Sequence, residues 1–193
     1  MIMTRSNILR HPFEAVKYLL KRYQYKRDII KNGGRVGRHM KFSIGGEFRC
    51  GKDVILNSSG IDLPKWSHIS VAKGALLEIG DHSGLSQFVI DCKNHIKIGQ
   101  YVNVGAGCLI MDSNFHSTDW QVRRDRGLDK RSQKTAPVII EDDVFIGARS
   151  IICKGVTIGA RSVIAAGSVV VKDIPSDCIA GGNPCKVIKM LNQ

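Results

Sequence analysis

The feature that most constrains this chain is a step of six residues. Ile140, Ile146, Ile152, Ile158, Ile164 and Val170 follow one another at that spacing. Ile, Val and Leu total 50 of 193 residues, so six consecutive hits would arise by chance roughly three times in ten thousand. The flanking columns agree. The residue after each aliphatic is Glu141, Gly147, Cys153, Gly159, Ala165 or Val171, mostly small, and four places on stand Val144, Ser150, Val156, Ser162, Ser168 and Ile174. The same step recurs more loosely earlier, in Val36, Phe42, Phe48 and Val54, in Ile79 and Leu85, and in Ile98, Val104 and Ile110. Residues 57–75 and 112–137 break the rhythm and are predicted to be loops or insertions.

A six-residue period has a specific physical meaning. One aliphatic side chain per hexad points inward from a short strand, and a tight turn completes the unit. Three hexads close one triangular coil, and coils stack by parallel hydrogen bonding. Small residues let the backbone bend at each turn, with Gly supplying positive φ. A coil cannot bury its core alone, so several must stack. Ile140–Thr157 and Ile158–Pro175 read as two such coils.

The N-terminal segment is different. Residues 1–41 hold eleven Lys/Arg against Glu14 and Asp28, so +9 of the chain's net +12 sits in its first fifth. A nucleic-acid binder would spread its positive charge over a binding face, so no nucleic-acid partner is expected. From Pro12 to about Asp28 the sequence reads as a helix. Pro12 suits a first helical position, and Phe13, Val16, Leu19, Leu20 and Tyr23 recur at three- and four-residue spacing among Lys17, Lys21, Arg22 and Lys26. Asn32-Gly33-Gly34 supplies the stop. Two arrangements are open: the apolar stripe packs on the chain's own core, or it lies on an anionic membrane surface or a partner. The expected organisation is a basic helical segment over 1–33 and a repeat domain over 34–193, with a loop at about 112–137 and a C-terminal tail.

Apolar residues make up 43%, charged residues 24%, and the mean hydropathy is -0.08, values of a folded globular chain. No stretch reaches the ~18 apolar residues needed to span a bilayer. The N-terminus MIMTRSNILRHPFE lacks an unbroken apolar core and a small-residue cleavage site, so a cytoplasmic location is expected. None of the six cysteines lies in a CxxC pair or at zinc-finger spacing, and reduced thiols serving as small hydrophobes are expected.

The stretch VFIGARSIICKGVTIGARSVIAAGSVVVKDIPSDCIAGGNPCKVIKM, Val144–Met190, closely resembles the C-terminal part of sugar O-acetyltransferases such as the galactoside and maltose enzymes. The chain resembles the hexapeptide-repeat acyltransferases tightly over 138–190 and loosely over 36–190. The resemblance implies an all-β fold, a left-handed parallel β-helix, here with a short N-terminal α-helical segment. It also implies acetyl-CoA as co-substrate, no metal, and a homotrimer whose sites form between subunits.

Acetyl transfer from a thioester to a hydroxyl needs a base, a stabilised oxyanion and a channel for coenzyme A. By resemblance, His116 in MDSNFHSTDW stands where the family places its catalytic histidine. Asp112 or a backbone carbonyl would orient it, and Ser113 and Asn114 would border the acceptor. The galactoside-type sugar site uses an asparagine and an acidic residue, and here Ser86 and Cys92 fall near those positions. Neither matches, so the same sugar is not implied. Ala148 and Ala166 would offer backbone contacts to the pantetheine arm, with Gly147 and Gly167 permitting close approach. Val171 and Lys172 occupy the family's Thr-Lys position, and Lys186 and Lys189 stand where the family has arginines near the nucleotide. Replacing Arg by Lys removes a bidentate fork. The loop DWQVRRDRGLDKRSQK, residues 119–134, carries six Lys/Arg against three Asp and could attract an acidic acceptor, and its Trp120 could stack on a sugar ring.

The function implied first is O-acetylation of a saccharide, in a surface glycan or a sugar precursor. Acetylation of another small acceptor, such as serine, an antibiotic or an amino sugar nucleotide, is the alternative. Serine acetyltransferases carry a far longer helical N-terminal domain. The same fold hosts γ-type carbonic anhydrases, which need three zinc-bound histidines; His116 has no histidine within ten residues. A purely structural β-helix would need neither a histidine base nor acetyl-CoA affinity.

Overall fold

The computed structural model describes residues 12–59 and 66–192. His11 and the rest of the first eleven residues lie outside the described part, as does part of the first predicted insertion. The described chain opens with α1, Pro12–Lys31, and continues as a three-sided parallel β-helix. Its first face is an eight-stranded sheet, its second has six strands and its third five. Successive strands of one face come from successive coils, and all pairings are parallel except the last, where Lys186–Met190 returns antiparallel along Cys178–Gly181.

The core consists of aliphatic columns. On the first face Val36, Leu56, Leu85, Val104, Ile146, Ile164 and Ala180 stand in register. Phe42, Ile69, Ile90, Ile110, Ile152 and Val170 form the second column. Cys50, Ile79, Ile98, Ile140 and Ile158 form the third, with Ile174 joined by an isolated bridge. The six aliphatics that announced the period, Ile140 through Val170, are all completely buried. The corner serines Ser150, Ser162 and Ser168 are buried too, and each hydroxyl donates to a turn carbonyl, that of Gly147, Pro175 and Ala165 respectively. Their burial therefore leaves no unpaired hydroxyl.

Two parts of the sequence reading need correction. In the early coils the third-face strands are four residues long and offer two inward positions, Phe48 with Cys50, Leu77 with Ile79, and Ile96 with Ile98. A strict step of six therefore loses phase. Val54 is buried in the turn, and Leu56 takes the column position instead. The predicted loop over 57–75 is also too long, because Ser67–Val71 is a full strand of the second face.

Helix α1 attaches to the first coil through its C-terminal half. Ile29 is buried, and the Tyr25 ring lies 6.3 Å from Phe42 and 5.8 Å from Phe48. Val16, Leu19, Leu20, Tyr23 and Ile30 are exposed. Much of the apolar pattern seen in the sequence thus does not pack on the chain's own core. A cavity of about 180 Å³ separates the helix from the coil, between Tyr25, Asp28, Ile29, Asn32, Phe48 and Cys50.

Since each column residue touches its counterparts one coil above and below, Ile152→Ala should lower unfolding stability by about 2–5 kcal/mol. Ile188→Ala, on the exposed final strand, should stay within about 0.5 kcal/mol of the parent. Denaturant unfolding of both variants would check this, and equal losses would contradict the column account.

Candidate active site

The long insertion leaves the coil after the strand Leu109–Met111 and returns at Val138–Ile140, at the corner between the second and third faces. Its two arms are zipped at the base. The Ala136 N–H donates to the Asp112 carbonyl at 3.0 Å, Ser113 and Thr135 form an antiparallel bridge, and the Asn114 N–H donates to Lys134 O at 3.1 Å. Between the arms lie two short helices, α2 (Trp120–Arg124) and α3 (Arg126–Arg131). Asp119 caps α2 by accepting from the Gln121 N–H, and Asp125 caps α3 by accepting from Gly127 and Leu128. The predicted loop therefore carries helices of its own.

His116 sits just beyond the zipped base. Its N–H donates to Asn114 O at 2.7 Å across Phe115, whose φ is 60°, an uncommon value for a bulky residue. The His116 Nδ1 is 2.6 Å from Asp129 Oδ2 on α3, and the Ser117 N–H donates to Asp129 Oδ1 at 2.7 Å. The bond from His116 and then that from Ser117 hold the Asp129 carboxyl below the usual carboxylate range. An ionised carboxylate can only accept, so the Nδ1 proton is fixed on the side of Asp129. In the neutral imidazole the lone pair is then on Nε2. The His116 side chain is 68% exposed whereas that of Asp129 is 10% exposed, so a seated carboxylate supports an imidazole that faces outward. Arg123 braces the same turn, its Nη1 donating to the carbonyls of Ser117 at 2.7 Å and Thr118 at 2.9 Å.

Asp112 does not orient His116. Its carboxylate is fully buried and accepts from the Lys93 and Asn94 N–H groups, each at 2.7 Å, closing a turn one coil below. Both oxygens are committed there, and Asp129 takes the orienting position. Ser113 is buried with an unpartnered hydroxyl, while Asn114 is exposed on the rim. Trp120 is exposed, and the Arg124 guanidinium lies 4.4 Å over its ring, so one face of the ring is taken.

The remaining sequence candidates occupy other places. Gly147, Ala148, Ala166 and Gly167 line the corner between the first and second faces. There the Gly167 N–H donates to Ala148 O at 2.8 Å, and a Cβ on Gly147 would collide with the Ala166 backbone. Gly167 has φ +72 and open space around it. Ser86 ends a strand at the same corner, lower in the stack. Val171 and Lys172 follow the strand Val169–Val170, at the corner from which the insertion springs. Lys186 and Lys189 lie on the exposed final strand. Within one chain the insertion that carries His116 springs from the edge of the second face opposite the Gly147–Gly167 corner.

Comparison with known proteins decides the family. Residues 137–172 match the repeat family described as the hexapeptide repeat of succinyl-transferase. A hexapeptide-repeat acetyltransferase from Vibrio cholerae is 30% identical, and the alignment covers 90% of this chain and 81% of the Vibrio chain, with a TM-score of 0.58. This chain belongs to the hexapeptide-repeat acetyltransferase family. The same Vibrio enzyme has been crystallised with acetyl coenzyme A. A maltose O-acetyltransferase from Clostridium difficile 630 is 29% identical, over 89% of this chain and 77% of its own, with a TM-score of 0.56. A Staphylococcus aureus 2,3,4,5-tetrahydropyridine-2,6-dicarboxylate N-acetyltransferase is 48% identical over 58 residues, 30% of this chain. The chain spans about a quarter of the length of that curated relative, 24%.

The hexapeptide-repeat chain keeps most of its thiols buried. All six cysteines are free, and four, Cys92 and Cys108 among them, are buried. Burial, with Asp112 beside it, pushes the Cys92 thiol up to about 12, and burial also raises that of Cys108. Cys92 thus belongs to the core and not to an acceptor pocket. Among the described residues no group of three His, Cys, Asp or Glu side chains is placed to hold a metal ion.

The Asp129–His116 bond has a signed pH dependence. The folded-state carboxyl is depressed, so its contribution is complete above the ordinary carboxylate range and is lost as pH falls through the depressed value. Hydrogen exchange at the Ser117 amide should therefore lose protection below about pH 4 and keep it at neutral pH. In Asp129→Ala, trypsin should cut after Arg123, Arg124 and Arg126 several-fold faster at neutral pH, with the coil still folded. Unchanged cleavage would mean that Asp129 does not hold the loop.

Proposed function

We propose that this chain is an acetyl-CoA-dependent O-acetyltransferase acting on a saccharide hydroxyl, with His116 as general base and Asp129 as its positioning residue. The observation that carries the reading is the 2.6 Å contact between His116 Nδ1 and Asp129, which leaves Nε2 as the outward-facing acceptor. A neutral imidazole so held can accept the proton of a hydroxyl as its oxygen attacks the thioester carbonyl, and then return it to the departing thiolate. The products are an acetyl ester and the free thiol, with every proton accounted for. Direct transfer fits the thiols, since Cys108 is buried and its proton tightly held.

The rest of the proposal assigns the other elements. The coil is left-handed, as the family resemblance implies, and three chains associate about a threefold axis. His116 of one chain then faces the glycine-lined corner of a neighbour. This supplies what a single chain lacks, because the two groups lie across a face from each other. Ala148 and Ala166 offer backbone groups to the pantetheine arm, Gly147 and Gly167 let it approach, and Val171 borders its path. Lys172, Lys186 and Lys189 meet the phosphates. Ser86, Asn114 and the free face of Trp120 border the acceptor. The maltose O-acetyltransferase among the relatives supports a sugar hydroxyl. The Staphylococcus N-acetyltransferase match favours a second reading, an amine on a small acidic acceptor, which the positive insertion would also attract.

His116→Ala should lower kcat by about 10²–10⁴-fold while acetyl-CoA binding and the fold persist. Wild-type rates should fall as pH drops and the imidazole takes up a proton, and that acid limb should vanish in the Ala variant. Lys172→Glu should raise the KM for acetyl-CoA more than that for the acceptor, and Cys108→Ala should change kcat little. Acetyl-CoA turnover against a panel of sugars, oligosaccharides and amino sugar nucleotides checks these outcomes and separates the two acceptor readings. His116→Ala activity within threefold of wild type would remove this base from the mechanism.

A further inference from the structure

Helix α1 carries two apolar faces, and the coil uses only one. Tyr25 and Ile29 dock on the first coil, over Phe42 and Phe48. At 100° per residue, Val16, Leu19, Leu20, Tyr23 and Ile30 fall within an arc of roughly 100° on the opposite side. All five are exposed, Leu20 at 64% and Tyr23 at 69%. An exposed apolar stripe on a helix this rich in charge needs an occupant.

The charges around the stripe identify that occupant. The helix holds Lys17, Lys21, Arg22, Lys26, Arg27 and Lys31 against only Glu14 and Asp28. In the helical register the stripe has cationic positions on both flanks, and Arg27, itself exposed, falls within its arc. A second copy of the same helix would bring like charges together along both seams. An anionic lipid surface instead accepts both features, apolar side chains in the acyl boundary and cations at the headgroups. No described helix is long and apolar enough to cross a membrane, so α1 can only lie along it.

We propose that α1 is an interfacial helix that seats the chain on an anionic lipid bilayer through Val16, Leu19, Leu20, Tyr23 and Ile30. Arg27 and Lys31 lie at the headgroups. Tyr25 and Ile29 keep the helix joined to the coil, so the whole catalytic domain is carried to the surface. The inference is independent of the acceptor and of His116.

The test is co-sedimentation of the full chain with phosphatidylcholine vesicles, with and without phosphatidylglycerol, at low and high salt. Binding should require the anionic lipid and weaken with salt. Arg27→Glu with Lys31→Glu should reduce the partition coefficient at least about fivefold per charge. Leu19→Glu with Leu20→Glu should abolish binding, with the thermal midpoint and subunit number in vesicle-free buffer unchanged. Equal binding to neutral vesicles, or no binding at all, would overturn the proposal. So would a change in subunit number in the Leu19/Leu20 variant, which would assign the stripe to a contact between copies.

Discussion

Everything in this molecule depends on one constraint: each coil presents one or two aliphatic side chains per face, and no coil can bury them by itself. The columns headed by Val36, Phe42 and Cys50 exist because the coil above and the coil below supply each side chain's neighbours. Stability is therefore shared along the stack, as in other repeat architectures. The corners add smaller buried side chains to these columns, such as Val54, Val144 and Val156. Their residues close turns, and one corner can hold an insertion of more than twenty residues without interrupting the ladders, since Ile110 still pairs with Ile152 across it. A rigid prism with free corners suits chemistry built from loops.

The insertion shows how a loop acquires a fixed geometry around one side chain, the imidazole of His116. Its arms are zipped by Asn114, Ser113 and Ala136, its helices are capped by Asp119 and Asp125, and its carboxylate at Asp129 binds the histidine and the next amide together. Arg123 adds two bonds to the same turn. Two of the insertion's six cationic side chains are held in place within it: Arg123 on the loop's own carbonyls and Arg124 over Trp120.

The aliphatic columns of 140–170 were legible in the sequence because every hexad there presents its residue at the same spacing. The earlier coils were less so, since a second inward residue per third-face strand, such as Phe48 beside Cys50, breaks the six-residue count. The place of His116 at the start of the insertion was legible in the sequence, but the carboxylate that meets its ring was not. Asp112 is nearer in sequence, and only the path of α3 shows that Asp129 reaches the ring while Asp112 turns inward to Lys93 and Asn94. The helix was legible as amphipathic, yet periodicity alone does not say which apolar side meets the coil. Tyr25 and Ile29 answer that, and they do so from outside the stripe the sequence first suggested.

The most direct test of the account is a crystal structure of the coenzyme A complex. It should show His116 Nε2 directed at the thiol, Nδ1 still bonded to Asp129, and the pantetheine arm along the Gly147–Gly167 corner of a neighbouring copy. A thiol seated away from every His116, or a His116 ring released from Asp129 in the complex, would contradict it.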